Sequence, residues 1–149
     1  MDDKESNKTV DLNAMYLPIH SRAASSYSRV GVETSVLSAS PHELISLLFN
    51  GVFETLSLAQ CAIEQKDIAT KGKAISKATR LISEGLKGGL SPDGGELTVQ
   101  LTSLYDYCVG RLMHANLKND TAAIEEVVKL IQPIASSWQA IRSDVTGGV

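Results

Sequence analysis

Three histidines and two cysteines are the residues whose chemistry can be weighed first. His42-Glu43 begins like a zinc-protease helix, in which two histidines one turn apart hold the metal and the glutamate acts as base, but no second histidine follows. His42 is therefore expected as an exposed first-turn residue. A di-iron bundle would carry Glu-x-x-His on two helices. Here Leu17, Ala39 and Arg111 occupy that position before His20, His42 and His114, so the pattern fails. His114-Ala115-Asn116-Leu117-Lys118 lacks the Lys-Gly pair that phosphotransfer bundles carry one turn after the histidine. Gly88-Gly89 and Gly94-Gly95 are not followed by Lys-Ser or Lys-Thr, so they read as a turn and not as a phosphate loop. Cys61 falls on the outer face of a helix and Cys108 at the centre of an apolar stripe. Neither has an adjacent histidine or cation in sequence to lower its pKa. Glu125-Glu126 and Asp2-Asp3 read as solvated charge. No metal or cofactor is expected from these residues, and acid–base pairs stay open, with no carboxylate standing out on an apolar face.

Composition points the same way. The chain has 149 residues, enough for one domain with a real core, and a net charge of −3. That balance argues against nucleic acid, which usually needs a clustered positive field. Two cysteines exclude a disulfide scaffold. No apolar run reaches the roughly 20 residues of a membrane span, and Met1 to Lys8 carries no export signal of the usual kind. A soluble, cytoplasmic chain without membrane insertion is expected. Hydrophobic residues make up 43% but aromatics only 5%, a balance of aliphatics and alanines that favours helices.

The elements follow from periodicity. Residues 1–14 are polar and aperiodic and read as disordered, and 15–39 read as a Ser-rich capping segment with room for one short helix. Ser40-Pro41-His42-Glu43 combines a cap, a first-position proline and a glutamate three residues after the cap, which predicts a sharp helix start. The first helix extends to about Lys66 through Leu44, Ile45, Leu48, Val52, Leu56, Ala59 and Ile63. A second helix spans 68–88, with Ile75, Ala78, Ile82 and Leu86 inward and Lys73, Lys77, Arg80 and Glu84 outward. A third spans 95–116, with Leu97, Leu101, Leu104, Tyr105, Cys108 and Leu112 on one face. Asn119 or Asp120 caps a fourth over 120–142, in which Pro133 faces away from the stripe and Trp138 anchors the core. The prediction is all-α: an antiparallel four-helix bundle over 40–143 with a flexible tail over 144–149.

Two helices carry more apolar surface than a bundle needs. A bundle helix requires a stripe somewhat wider than about 100°. The first helix adds Leu47, Leu58 and Gly51, flanked by Leu44 and Ala62. The third adds Val99, Val109, Met113 and Leu117, with Gly110 between them. The second helix has no such wing. Two readings stand side by side: the edges of a wide core, or a groove for a partner's amphipathic helix or extended segment. In the second reading glycine lets a partner backbone approach closely. Tyr105 points near the core, whereas Asp106 and Tyr107 point elsewhere. A groove left empty also invites self-association, which leaves a weak homodimer open.

An ordered set of short motifs carries a resemblance. Met15-Tyr16, Tyr27-Ser28-Arg29-Val30-Gly31-Val32-Glu33 and Ser38-Ala39-Ser40-Pro41-His42-Glu43-Leu44 resemble the flagellar export chaperone family FliS. So do Leu48-Phe49-Asn50-Gly51, Leu104-Tyr105-Asp106-Tyr107, Arg111-Leu112-Met113, Ala115 to Asp120, Glu125-Glu126-Val127 and Trp138. Each motif is weak alone, but the ordered set, spanning about Met15 to Ile141, is specific.

The resemblance implies a helical bundle without enzymatic activity. It would bind the disordered C-terminal region of newly made flagellin in the cytoplasm, prevent premature polymerisation and present the cargo to an export-gate component of the flagellar type III system. It also implies that the N-terminal segment covers part of the binding surface when flagellin is absent. Tyr16 and Tyr27 match the N-terminal motifs, and Tyr105, Asp106 and Tyr107 match the third-helix motif, without fixing which of them touches cargo. Departures are the extra residues before Met15, a long stretch from Tyr16 to Tyr27, Asn50 where aspartate is usual and Cys108 where methionine is expected. The rival binding reading is an adaptor for a different cargo, which the groove alone would not distinguish.

Overall fold

A computed structural model describes residues 40–147 of the chain, with side chains to 141. Tyr16, Tyr27 and the two expected N-terminal segments lie outside the described residues. Helix α1 is Pro41–Glu64 and α2 is Ile68–Arg80, continued without a break by a π-helical segment, Leu81–Lys87. A single 3-10 turn, Pro92–Gly94, leads into α3, Gly95–Lys118, and α4 is Thr121–Gly147. There is no strand among the described residues, and the predicted all-α four-helix bundle is the architecture found.

Local chemistry sets the ends. The Ser40 hydroxyl accepts from the Glu43 N–H at 3.2 Å, with Pro41 at the first helical position where its missing N–H costs nothing. Asp67 caps α2 through the Thr70 N–H and hydroxyl. The third turn divides its labour: Asn119 closes α3 in the left-handed conformation, φ 53°, and Asp120 opens α4 by accepting from the Ala122 and Ala123 N–H groups. Pro133 is exposed inside α4, as its position on the wheel predicts.

α1 packs on α2 and α4, and α3 packs on α2, its π segment and α4. Consecutive helices are therefore neighbours, and α1 and α3 face each other across a diagonal. The core runs through Leu44, Leu48, Val52, Leu56, Leu81, Ile82, Leu86, Tyr105, Leu112, Ile124, Val127, Ile131 and Trp138. By length and composition α1 could cross a membrane, although no unbroken apolar run marks it in the sequence. Its apolar face is instead the core wall of the bundle, with nine buried residues.

The π segment was not foreseen; the stripe Ile75, Ala78, Ile82 and Leu86 reads as ordinary α-helix. The amide of Gly88 reaches back five residues to the Ser83 carbonyl, at 3.0 Å. The wider turn brings Leu81, Ile82, Gly85 and Leu86 all into the core. Gly85 makes room for it: a Cβ there would stand 2.5 Å from a terminal carbon of Leu48.

Candidate partner-binding surface

Most of both apolar wings lies outside the core, but Val109, read into the α3 wing, is half-buried and packs against the core. Among the described residues, the large hydrophobic side chains left exposed are Leu47, Leu58, Ile68, Val99, Tyr107, Met113 and Leu117. Exposure runs from 38% at Leu47, at the edge of the core, to 77% at Leu117. On α1, Leu47 and Leu58 lie within about 40° of Gly51 around the axis. On α3, Val99, Gly110, Met113 and Leu117 lie within about 40° of Asp106. These are two strips on diagonal helices, not one groove. Both border α2: a Cβ on Gly51 would stand 3.1 Å from Leu81 of the π segment, and Asp106 accepts from Lys87 of the same segment at 2.6 Å.

Three expectations need correcting. Leu44 and Tyr105 are fully buried, so neither faces a partner in this structure; Leu44 belongs to the core stripe and not to the wing. The close approach expected at Gly51 is made from inside the molecule, by Leu81. Gly110, by contrast, faces open space. Third, His42 is not a free-standing surface residue. Its imidazole is half-buried and stacked on the Trp138 indole.

Tyr107 stands about 100° from Asp106 around α3, on the flank toward α4. Its hydroxyl donates to one Glu126 oxygen at 2.6 Å, and the Arg111 Nε–H donates to the other at 2.7 Å. The two hydrogen bonds, Tyr107 before Arg111, hold the Glu126 carboxyl below the ordinary range. The same carboxylate raises the Tyr107 phenol, and the tyrosine ring remains half exposed. Glu126, read with Glu125 as solvated charge, is thus half a clamp, while Glu125 is exposed as expected.

Two further features escaped the sequence. Lys71 is buried, and its ammonium donates to the Asn116 carbonyl at 2.9 Å and the Asn119 side chain at 2.6 Å. That places a cation on the carbonyl end of α3, where the helix dipole favours it. Beside it, Ala62, Ile63 and Ile68 line a cavity of about 390 Å³ at the α1–α2 corner. Ile68 is 72% exposed and was missed because it opens α2 before any stripe is established. A second cavity, about 440 Å³, lies between α1 and α4 against Phe49, Phe53, Ala135 and Trp138.

Among the described residues no group of three or more histidine, cysteine or acidic side chains could hold a metal. Burial pushes the Cys108 thiol up to about 11, and Cys61 is exposed on the outer face of α1. The fold and this surface define a four-helix bundle girdled by exposed apolar side chains. The family model for "Flagellar protein FliS" matches residues 23–145, and the chain belongs to that family. It is 49% identical over 116 residues to the flagellar secretion chaperone FliS of Salmonella typhimurium strain LT2, covering 77% of this chain and 86% of that protein. The Escherichia coli K12 protein of the same name is 40% identical over 79% of this chain and 88% of its own length. The flagellar secretion chaperone FliSB of Pseudomonas aeruginosa is 40% identical over 80% and 95%.

Proposed function

We propose that this protein is a cytoplasmic export chaperone that binds the C-terminal region of flagellin, keeps it from polymerising and delivers it to the flagellar type III export gate, without enzymatic activity. Relatives at up to 49% identity are named flagellar secretion chaperones. The observation that carries the reading is the pair of exposed apolar strips, Leu47 and Leu58 on α1 and Val99, Met113 and Leu117 on α3. A segment that is disordered alone can fold by laying an apolar face on each strip, which competes with its self-assembly. Because the strips lie on diagonal helices, such cargo has to wrap around the bundle. Tyr107, held by Glu126 with its ring exposed, is a pre-oriented aromatic contact of the kind interfaces favour. Tyr16, Tyr27, Gly51, Asp106 and Gly110 remain proposed contacts. Leu44 and Tyr105 would act beneath the surface, by supporting it. Weak homodimerisation through the strips is the competing occupancy.

Seeded polymerisation of purified cognate flagellin tests the reading. Equimolar chaperone is expected to suppress filament growth, and flagellin lacking its C-terminal region is expected not to bind. Unimpeded polymerisation with a folded chaperone would exclude it.

A further inference from the structure

Positive charge is gathered on one helix. The chain's net charge is −3, and α1 contains no lysine or arginine at all. Between Ile68 and Lys87, α2 and its π segment carry Lys71, Lys73, Lys77, Arg80 and Lys87 against the single carboxylate Glu84. Lys71 is buried, but Lys73, Lys77 and Arg80 recur at steps of four and three within α2, which is one ridge along the outside of that helix, and Glu84 and Lys87 follow on the π segment, where the wider turn departs from that spacing. Lys87 is paired with Asp106, and Arg80 lies 3.9 Å from Glu84. Lys73 and Lys77 are exposed, and neither makes an ion pair with a described residue within 4.0 Å.

This ridge lies between the two apolar strips. The α1 strip borders α2 at Gly51 and Leu81, and the α3 strip borders it at Asp106 and Lys87. A partner that engages both strips by the shorter way crosses the ridge. Bundle helices are roughly 10–12 Å across and 8–10 Å from their neighbours, so the crossing is about 20 Å. About six extended residues at ~3.3 Å each span it.

We propose that the bound flagellin segment crosses α2 through an acidic stretch of about this length, whose carboxylates face Lys73 and Lys77, between two apolar blocks that occupy the α1 and α3 strips. The proposal rests on the flagellin-binding reading and adds the chemistry of the crossing. The ridge would set the direction and register of the wrap, since an apolar strip alone reads neither. It would also draw the disordered segment in electrostatically, so the contribution falls with salt.

The test uses the full chain, its Lys73→Glu/Lys77→Glu double variant and a Lys129→Glu control on α4, each titrated with a synthetic C-terminal segment of the cognate flagellin. Circular dichroism checks that each variant is folded. The double variant is expected to bind about tenfold more weakly at low salt, the deficit shrinking toward 1 M salt, where screening acts within about 3 Å. The control is expected to bind like wild type. Equal affinity and equal salt dependence for the double variant would overturn the crossing while leaving the chaperone reading intact. So would a cognate segment with no acidic residues between its apolar blocks. Failure of the wild-type chain itself to bind would overturn both.

Discussion

Trp138 of α4 lies flat against His42 of α1. The ring centroids are 4.1 Å apart and the planes 12° from parallel, and the indole N–H donates to the His42 carbonyl at 3.2 Å. One side chain thus closes the first turn of the bundle onto its last helix, stacking on a ring and satisfying a backbone oxygen of the same residue. Trp138 is also the largest side chain in the core, 1% exposed. Trp138→Ala is expected to cost about 3–5 kcal/mol, as for other large aromatic truncations. Trp138→Phe keeps a ring but loses the donor and should fall between. Urea unfolding followed by circular dichroism reads both; a loss below about 1 kcal/mol for the alanine variant would mean that the clamp is not structural.

Acid should loosen the α3–α4 clamp. The Glu126 carboxyl is held below its ordinary value of 4.5 by Tyr107 and then Arg111, so its contribution is fully present above pH 4.5 and is lost as pH falls through the lower folded value. At the other end, the Tyr107 phenol is raised above 10.0, so its bond to Glu126 persists below pH 10 and is lost as pH rises through the raised value. Glu126→Gln is expected to be less stable than wild type at pH 7, with the difference shrinking as pH falls below 4.5 and through the lower folded value. A difference constant from pH 7 to pH 3 would contradict the assignment.

Two glycines should respond with opposite signs. A Cβ on Gly85 would stand 2.5 Å from the buried Leu48 side chain, whereas one on Gly110 meets nothing within 4 Å. Gly85→Ala is expected to destabilise by about 1–3 kcal/mol through overpacking. Gly110→Ala, in the exposed middle of α3, is expected to stabilise by about 0.5–1 kcal/mol. Matching thermal melts of the two variants would refute this account of the π segment.

The cysteines should separate kinetically. Cys61 is exposed, while Cys108 is buried and its thiol is pushed up to about 11. With a chromogenic disulfide at pH 8, Cys61 is expected to react quickly and Cys108 only on unfolding. Two fast equivalents from the native protein would show that the core opens around Cys108.

Periodicity and capping chemistry made the fold legible. Ser40-Pro41, Asp120 and the three- and four-residue spacings fall where the helices begin and run. The wings were legible for the same reason: Leu47, Leu58, Val99, Met113 and Leu117 are apolar at wheel positions a bundle does not bury. Long-range partners were not. Nothing local marks Trp138 as the lid on His42, 96 residues away, or Lys71 as the cation that reaches Asn116 and Asn119. The π segment was hidden because a helical wheel assumes the α-helical turn throughout and does not contain Leu48, the side chain that lies against Gly85. That the two wings stand on diagonal helices likewise depends on the order of packing, which periodicity leaves open.

The central claim is that exposed apolar side chains on α1 and α3 bind flagellin by coupled folding. Leu47 and Met113 are 38% and 64% exposed, so aspartate at either leaves the core intact. The most direct measurement is isothermal titration of wild type, Leu47→Asp and Met113→Asp with the C-terminal flagellin segment at several temperatures, with circular dichroism of the mixture. The account predicts saturable binding by wild type with a negative heat-capacity change and a gain of helix, and at least tenfold weaker binding, about 1.4 kcal/mol, by each variant. Wild-type affinity in both folded variants would contradict it.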